Sequence, residues 1–231
     1  MLNLIAMLRH PLNAAILSAD QSTRGLIVEA AVEKRKIKFV WHFTRLENLD
    51  SILLNGLVPR AILEAQSTSA IYNDAYRLDG EKAANCLSIG HPNYKMFFSL
   101  RQHNPQQEWV VLACKPSILW LKDCAFCYEN AASSNVKAIP LASRKGLGAF
   151  EKLFSPADGK PCRTDLKLPD DCPTNPQAEV LVFDIIEPKY ILGAVCQSSS
   201  RRDELKAKYP NFGFLYHKSL FSARMDYSHW K

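Results

Sequence analysis

Glu179 is the residue of this 231-residue chain that most invites a chemical reading, because it opens Glu179-Val180-Leu181-Val182-Phe183, a run otherwise made of strand formers, directly after a long polar loop. A carboxylate at the mouth of an apolar strand is costly unless it is used or paired. Glu179 is therefore either a working carboxylate or the partner of a surface lysine at an exposed strand edge. Gln177 stands two positions earlier, and strand alternation puts both side chains on one face. His42 and Thr44 form a second same-face pair at the end of a strand, with Asn48 within a turn of them. A histidine there can titrate near neutrality, or it can be a satisfied rim residue. Arg77 lies in Asn73-Asp74-Ala75-Tyr76-Arg77-Leu78-Asp79-Gly80, where its planar fork could hold an anion or simply pair with a flanking aspartate. Cys124-Ala125-Phe126-Cys127 is a lone C-x-x-C, without a second pair or histidines at ligand spacing, so no metal site is expected.

Elements must hold these groups in place. Residues 12 to 36 read as helical, with Ser22 or Thr23 as N-cap and a basic end at Lys34, Arg35, Lys36 and Lys38 that suits a helix C-terminus or a nucleic-acid contact. Residues 38 to 43 read as a strand and 45 to 55 as a short helix stopped by Gly56. Cys86-Leu87-Ser88-Ile89 is a strand, Asn93 to Arg101 a helix, and Trp109 to Cys114 a strand buried on both faces. A helix near 145 to 154 precedes a proline-rich loop at 155 to 177, long enough to suggest a substrate loop. Ala178 to Phe183, Ile191 to Cys196 and Phe212 to Tyr216 supply further strands, with a helix at Arg201 to Lys208. Such irregular mixing points to an α+β protein with antiparallel or mixed sheets.

Composition narrows the class. Hydrophobic residues at 47% and charged residues at 23% exclude disorder and fibrous repeats. A net charge of +6 admits a phosphate-bearing partner without requiring one. Seven cysteines, an odd number partly set in apolar runs, fit a reducing cytoplasm. Met1 to Leu8 is too short for a secretory core, and no stretch approaches the ~18 apolar residues of a membrane span, so no membrane association is expected. The absence of Walker, G-x-G-x-x-G, G-x-S-x-G and H-E-x-x-H patterns argues against P-loop hydrolases, Rossmann dehydrogenases, α/β-hydrolases and zincins.

Taken in order, the segments resemble the DarT family of ADP-ribosyltransferase toxins, which use NAD⁺ to attach ADP-ribose to DNA bases and are neutralised by macrodomain antitoxins. The resemblance runs through His42-Phe43-Thr44 with Asn48, Ile52-Leu53 and Gly56-Leu57, then Arg77, His91-Pro92-Asn93-Tyr94-Lys95-Met96-Phe97, Asn130-Ala131-Ala132, and Gln177-Ala178-Glu179-Val180-Leu181-Val182. It implies an ADP-ribosyltransferase-like fold with a catalytic core at 38–197, an N-terminal helical extension at 1–37 and an elaboration of the same domain at 198–231. It also implies roles. Glu179 would steady an oxocarbenium-like sugar and take the acceptor's proton, and Arg77 would bind pyrophosphate or base. His42 and Thr44 would hold the nicotinamide ribose and amide, Asn48, Gly56 and Leu57 the adenosine side, Tyr94 and Met96 an apolar wall. Gln177 would read the acceptor.

NAD is then a co-substrate and no metal is needed. The expected partners are single-stranded DNA, slightly ahead of RNA, and an antitoxin. Thymine-modifying members often carry a basic run before the Gln-x-Glu, where this chain has Asp170-Asp171-Cys172-Pro173-Thr174-Asn175-Pro176, which favours a purine, guanine above adenine. Two other classes stay open, an ADP-ribosyltransferase acting on protein and a catalytically silent nucleic-acid-binding module.

Overall fold

The computed structural model describes residues 25–66 and 77–230. Residues 25–34 form helix α1, so the expected cap at Ser22 or Thr23 lies outside the described residues. Beyond it, Lys36 takes a left-handed φ of 56° that ends the helix before β1 (Val40–Arg45). Leu49–Asn55 form α2 and Arg60–Ala65 form α3, before β2 (Asn85–Ile89) and α4 (Tyr94–His103). Then come β3 (Trp109–Cys114), α5 (Ile118–Leu121), β4 (Cys124–Cys127), α6 (Ser134–Lys137) and α7 (Gly146–Lys152). The chain continues through β5 (Glu179–Val182), β6 (Ile191–Cys196), α8 (Ser199–Lys208) and β7 (Phe214–Tyr216).

The strands make one seven-stranded sheet ordered β4-β5-β2-β1-β3-β6-β7. Every neighbour pair is antiparallel except β6 with β7, so the α+β class with a mixed sheet holds. The continuous apolar run of β3 reflects burial on both faces. Val110, Leu112 and Cys114 enter the main core, while Trp109 and Val111 join Phe97, Val195 and Phe221 in a smaller aromatic one. There Phe43 stacks on Phe97 with ring centroids 4.6 Å apart. At the far end of the sheet, Ala125, Cys127 and Leu181 face a third cluster with Ala131 and Val136.

The sheet is nearly interrupted at its middle. All six residues of β1 pair with β3, but only Val40 and Trp41 pair with β2, opposite Ile89 and Ser88. The other half of β2, Asn85 to Leu87, pairs with β5 instead. From His42 onward the two half-sheets part, and the gap between them holds the site.

One glycine keeps that gap in shape. Gly56 ends α2 with φ 81°, and a Cβ built there would lie 2.2 Å from the Ile186 carbonyl oxygen. The close approach lets Leu57 and Ile186 exchange main-chain hydrogen bonds of 2.9 and 3.0 Å. Gly56→Ala is expected to cost about 1–3 kcal/mol from backbone conformation alone, before the clash with Ile186, and to show as a lowered urea midpoint. A wild-type midpoint would mean that this turn relaxes freely.

Candidate active site

A cavity of about 550 Å³ occupies the gap, within the range of small-molecule sites. His42 and Thr44 reach it from β1, Asn48 from the turn before α2, and Gly56 and Leu57 from the end of α2. Arg77, Met96 and Glu179 complete the expected residues that line it, and Asn85, Ser88 and Asn130 lie among them.

Glu179 is buried between β4 and β2, opposite Cys127, so the alternative of an exposed edge paired to a lysine does not describe it. One carboxylate oxygen accepts from the Asn93 side-chain amide at 3.2 Å and the other from the Ala131 main-chain N–H at 2.9 Å. Burial raises its pKa to about 7. The two hydrogen bonds and the Arg77 charge pull it down, and the Asp79 charge adds to the rise.

Asn93 is the partner that sequence reasoning did not single out. As N-cap of α4 its side-chain oxygen accepts from Met96 N at 3.2 Å, leaving its NH₂ for Glu179, while its own main-chain N–H donates to Ser88 Oγ at 3.1 Å. An Asn before a helical run signals a cap. Nothing local signals that the same amide meets a carboxylate 86 positions away. Asn85 acts similarly, donating to the carbonyls of Leu57 and Asp184 at 3.0 and 3.2 Å.

His42 Nδ1 lies 2.9 Å from the Cys86 carbonyl, bridging the parted strands. A carbonyl only accepts, so Nδ1 carries the proton. Burial lowers the ring's pKa, opposed by that hydrogen bond and assisted by the Arg77 charge, so Nε2 remains an acceptor. Thr44 Oγ1 accepts from Asn48 Nδ2 at 3.1 Å, which fixes both side chains on the wall.

Arg77 takes a left-handed φ of 44°. Its Nε and Nη2 meet the two Asp79 oxygens at 3.0 and 2.9 Å, Nη1 donates to Ala84 O at 2.9 Å, and Nη2 also donates to Glu81 O. The ion pair with a flanking aspartate is thus present, on the cavity wall. Arg144 donates to the Glu81 carboxylate at 3.1 Å and buttresses the same turn from behind.

Two expected residues do not line the cavity. Tyr94 meets His91 edge-on, with centroids 6.2 Å apart. It lies two positions from Met96, which does line the site, and two helical positions are turned about 200° from each other. Gln177 precedes the first residue of β5, so strand alternation does not govern it. Its N–H donates to Asn175 Oδ1 at 2.9 Å in a tight turn. The acidic Asp170 and Asp171 are also absent from the lining. The Asp170 carbonyl faces Arg35, and the Asp171 main chain packs on Gly90. Cys124 and Cys127 lie on opposite faces of β4, in different cores, so they cannot share a metal.

Comparison with solved structures gives the fold first. The fold is similar to Thermosipho africanus DarTG in complex with ADP-ribose, at 18% identity and TM-score 0.56, over 80% of this chain and 51% of that one. It is also similar to Thermus sp. 2.9 DarT in complex with carba-NAD⁺, at 15% identity and TM-score 0.52, over 80% and 98% of the two chains. This chain thus spans about half the length of the Thermosipho protein. These likenesses define one fold, in which a split mixed sheet holds a buried glutamate facing the gap. Residues 41–220 match the family described as ssDNA thymidine ADP-ribosyltransferase, DarT, and the chain belongs to that family. A search of curated proteins gave no match.

Asn93→Ala should remove the cap and a donor to Glu179 together, costing about 1–3 kcal/mol of stability and raising the glutamate's pKa further. Asn93→Ser, which still caps but is too short to reach Glu179, should recover most of the melting temperature and little of the transferase rate. Equal recovery of both would show that the amide serves the helix alone.

Proposed function

We propose that this protein transfers ADP-ribose from NAD⁺ to a base of single-stranded DNA. The observation that carries the reading is Glu179, buried at the gap, aimed by Asn93 and Ala131, and held near pH 7 between its two protonation states. NAD⁺ is the substrate that suits the site. A nucleotide-sized cavity meets a neutral histidine acceptor able to take a ribose hydroxyl, and a carboxylate able to face a cationic sugar.

In this reading the bond between nicotinamide and C1′ of the ribose breaks, and its electron pair leaves with nicotinamide. Ionised Glu179 stabilises the positive charge left on the sugar. A ring nitrogen of the acceptor base attacks C1′, and its proton passes to Glu179. His42 and Thr44 hold the nicotinamide ribose and amide, Asn48, Gly56 and Leu57 the adenosine side, and Met96 the apolar wall. Arg77 places its charge beside the pyrophosphate path and favours the ionised glutamate. Tyr94 and Gln177 have no cofactor contact in this scheme, and Gln177 stays with the acceptor loop.

For the base, the family description names thymidine, and the acidic pair that favoured guanine lies off the cavity lining. Thymidine in DNA is therefore the acceptor we propose, ahead of guanine and of RNA. A toxin role, with an antitoxin that reverses or blocks the modification, accompanies this reading.

Labelled NAD⁺ incubated with single-stranded oligonucleotides of each base, duplex DNA, RNA and total protein tests it. Nicotinamide release and label on thymidine-containing single strands are expected. Duplex should react poorly, because extruding a paired base costs a few kcal/mol. Label confined to guanine or RNA would overturn the acceptor, label on protein alone would favour a protein target, and DNA binding without nicotinamide release would favour a silent binding module.

A further inference from the structure

Residues 224–230 follow the segment matched to the family and line no part of the cavity, yet Arg224, Asp226 and Trp230 are buried and bond to the loop before β5 and to α4. Arg224 and Asp226 form a forked ion pair, with Nε to Oδ1 at 2.8 Å and Nη2 to Oδ2. The rest of the guanidinium is spent on the loop before β5. Nη1 donates to Pro173 O at 2.8 Å and Nη2 to Thr174 O at 2.9 Å. Asp226 in turn accepts from the Trp230 indole at 2.6 Å, and the Trp230 carbonyl accepts from Lys95 Nζ at 2.6 Å.

The two ends of this chain of bonds matter. Thr174 lies five residues before Glu179, with only the tight turn at Asn175–Ala178 between them, so fixing 173–174 fixes where β5 starts. Lys95 lies two residues after Asn93, in the first turn of α4, so fixing it fixes the cap that donates to Glu179 Oε1. The same loop packs on Gly90, where a Cβ would come within 2.7 Å of Asp171 O, so its seat just after β2 has no slack. The segment is thus tied to both sides of one hydrogen bond.

We propose that Arg224 and Asp226 are positioning residues of the transferase, forming a strap that holds the strand of Glu179 and the helix of Asn93 in register so that the amide meets the carboxylate. The role in catalysis rests on the proposed function, and the positioning itself does not. An arginine suits the strap because one planar fork satisfies a carboxylate and two carbonyls at once, which a lysine cannot do.

The test uses the full-length chain with Arg224→Lys and, as a variant that leaves the buried pair intact, Lys95→Met. Glu179 is titrated by NMR in each, beside steady-state transfer from NAD⁺ to a single-stranded oligonucleotide. In both variants the Glu179 pKa should rise by about half a unit to one unit, because a hydrogen bond to the charged form is weakened. The pH at half-maximal rate should rise with it, kcat for transfer should fall about tenfold, and KM for NAD⁺ should stay within about twofold. An unchanged Glu179 titration in folded variants would overturn the proposal, as would a rate loss that tracks only the unfolded fraction with no shift in pH profile. If the wild type releases no nicotinamide, the functional reading fails, and the NMR titration still decides the strap.

Discussion

Glu179→Gln should remove transferase activity and at the same time make the protein more stable in mild alkali. A carboxylate whose pKa is raised from 4.5 to about 7 on folding binds its proton more tightly in the native state than in the unfolded chain. Its stabilising contribution is therefore complete below about pH 4.5 and disappears as the pH climbs through 7. By pH 8 the native state carries a buried charge at a cost of about 3 kcal/mol, taking 1.36 kcal/mol per unit over the shift. Glutamine keeps the shape and can still accept from Ala131 or Asn93 without the charge. Melting temperatures of the two proteins should coincide near pH 4.5 and diverge, variant above wild type, by pH 8. The rate should drop on the order of 10²-fold or more, since a group facing developing charge has been neutralised. The wild-type rate should rise with pH through about 7, where the glutamate ionises. A folded variant that turns over normally, or one that gains no stability at pH 8, would contradict the assignment.

The second large effect is expected at Arg77. Its side chain and that of Asp79 are 10% and 6% exposed, so Arg77→Ala leaves a buried carboxylate that keeps only the Glu81 N–H among the described residues. Losing one partner of such a pair typically costs about 3–5 kcal/mol. It also removes a positive charge that lowers the Glu179 pKa while keeping the negative one that raises it, so any surviving activity should move to higher pH. Arg77→Lys should restore the pH profile, since the positive charge is kept, but little of the stability, because an ammonium cannot meet both Asp79 oxygens and two carbonyls together. Arg77→Ala with Asp79→Ala should recover much of the stability and none of the rate, separating the structural pair from the catalytic surroundings. Full rescue of stability by lysine would reduce Arg77 to a point charge.

What was legible in the sequence follows from how local each signal is. β3 was readable because burial on both faces writes an unbroken apolar run, and Glu179 because a carboxylate is conspicuous in such company. The strand at Cys124–Cys127 was not readable, since four residues with two cysteines and an alanine carry neither length nor β-branching. The side-by-side placement of Gln177 and Glu179 assumed a strand that had not yet begun. The work of Asn93 and Arg224 was invisible for a different reason. Each acts on main-chain or carboxylate groups brought near only by tertiary structure, and no periodicity records such a meeting. The ion pair at Arg77, by contrast, was foreshadowed by Asp79 two positions away.

The parting of β1 from β2 has a consequence for how this fold can diverge. Beyond Trp41 and Ser88, two strands border the gap without completing a ladder across it, so part of its wall is peptide backbone. The amides and carbonyls along such a wall belong to every residue type, so they outlast substitutions that leave β1 and β2 folded. Drift therefore wears away the lettering of the pocket more quickly than its outline. A lineage built this way can change what it accepts through a few projecting side chains, because the frame that receives the ligand is common to all residue types.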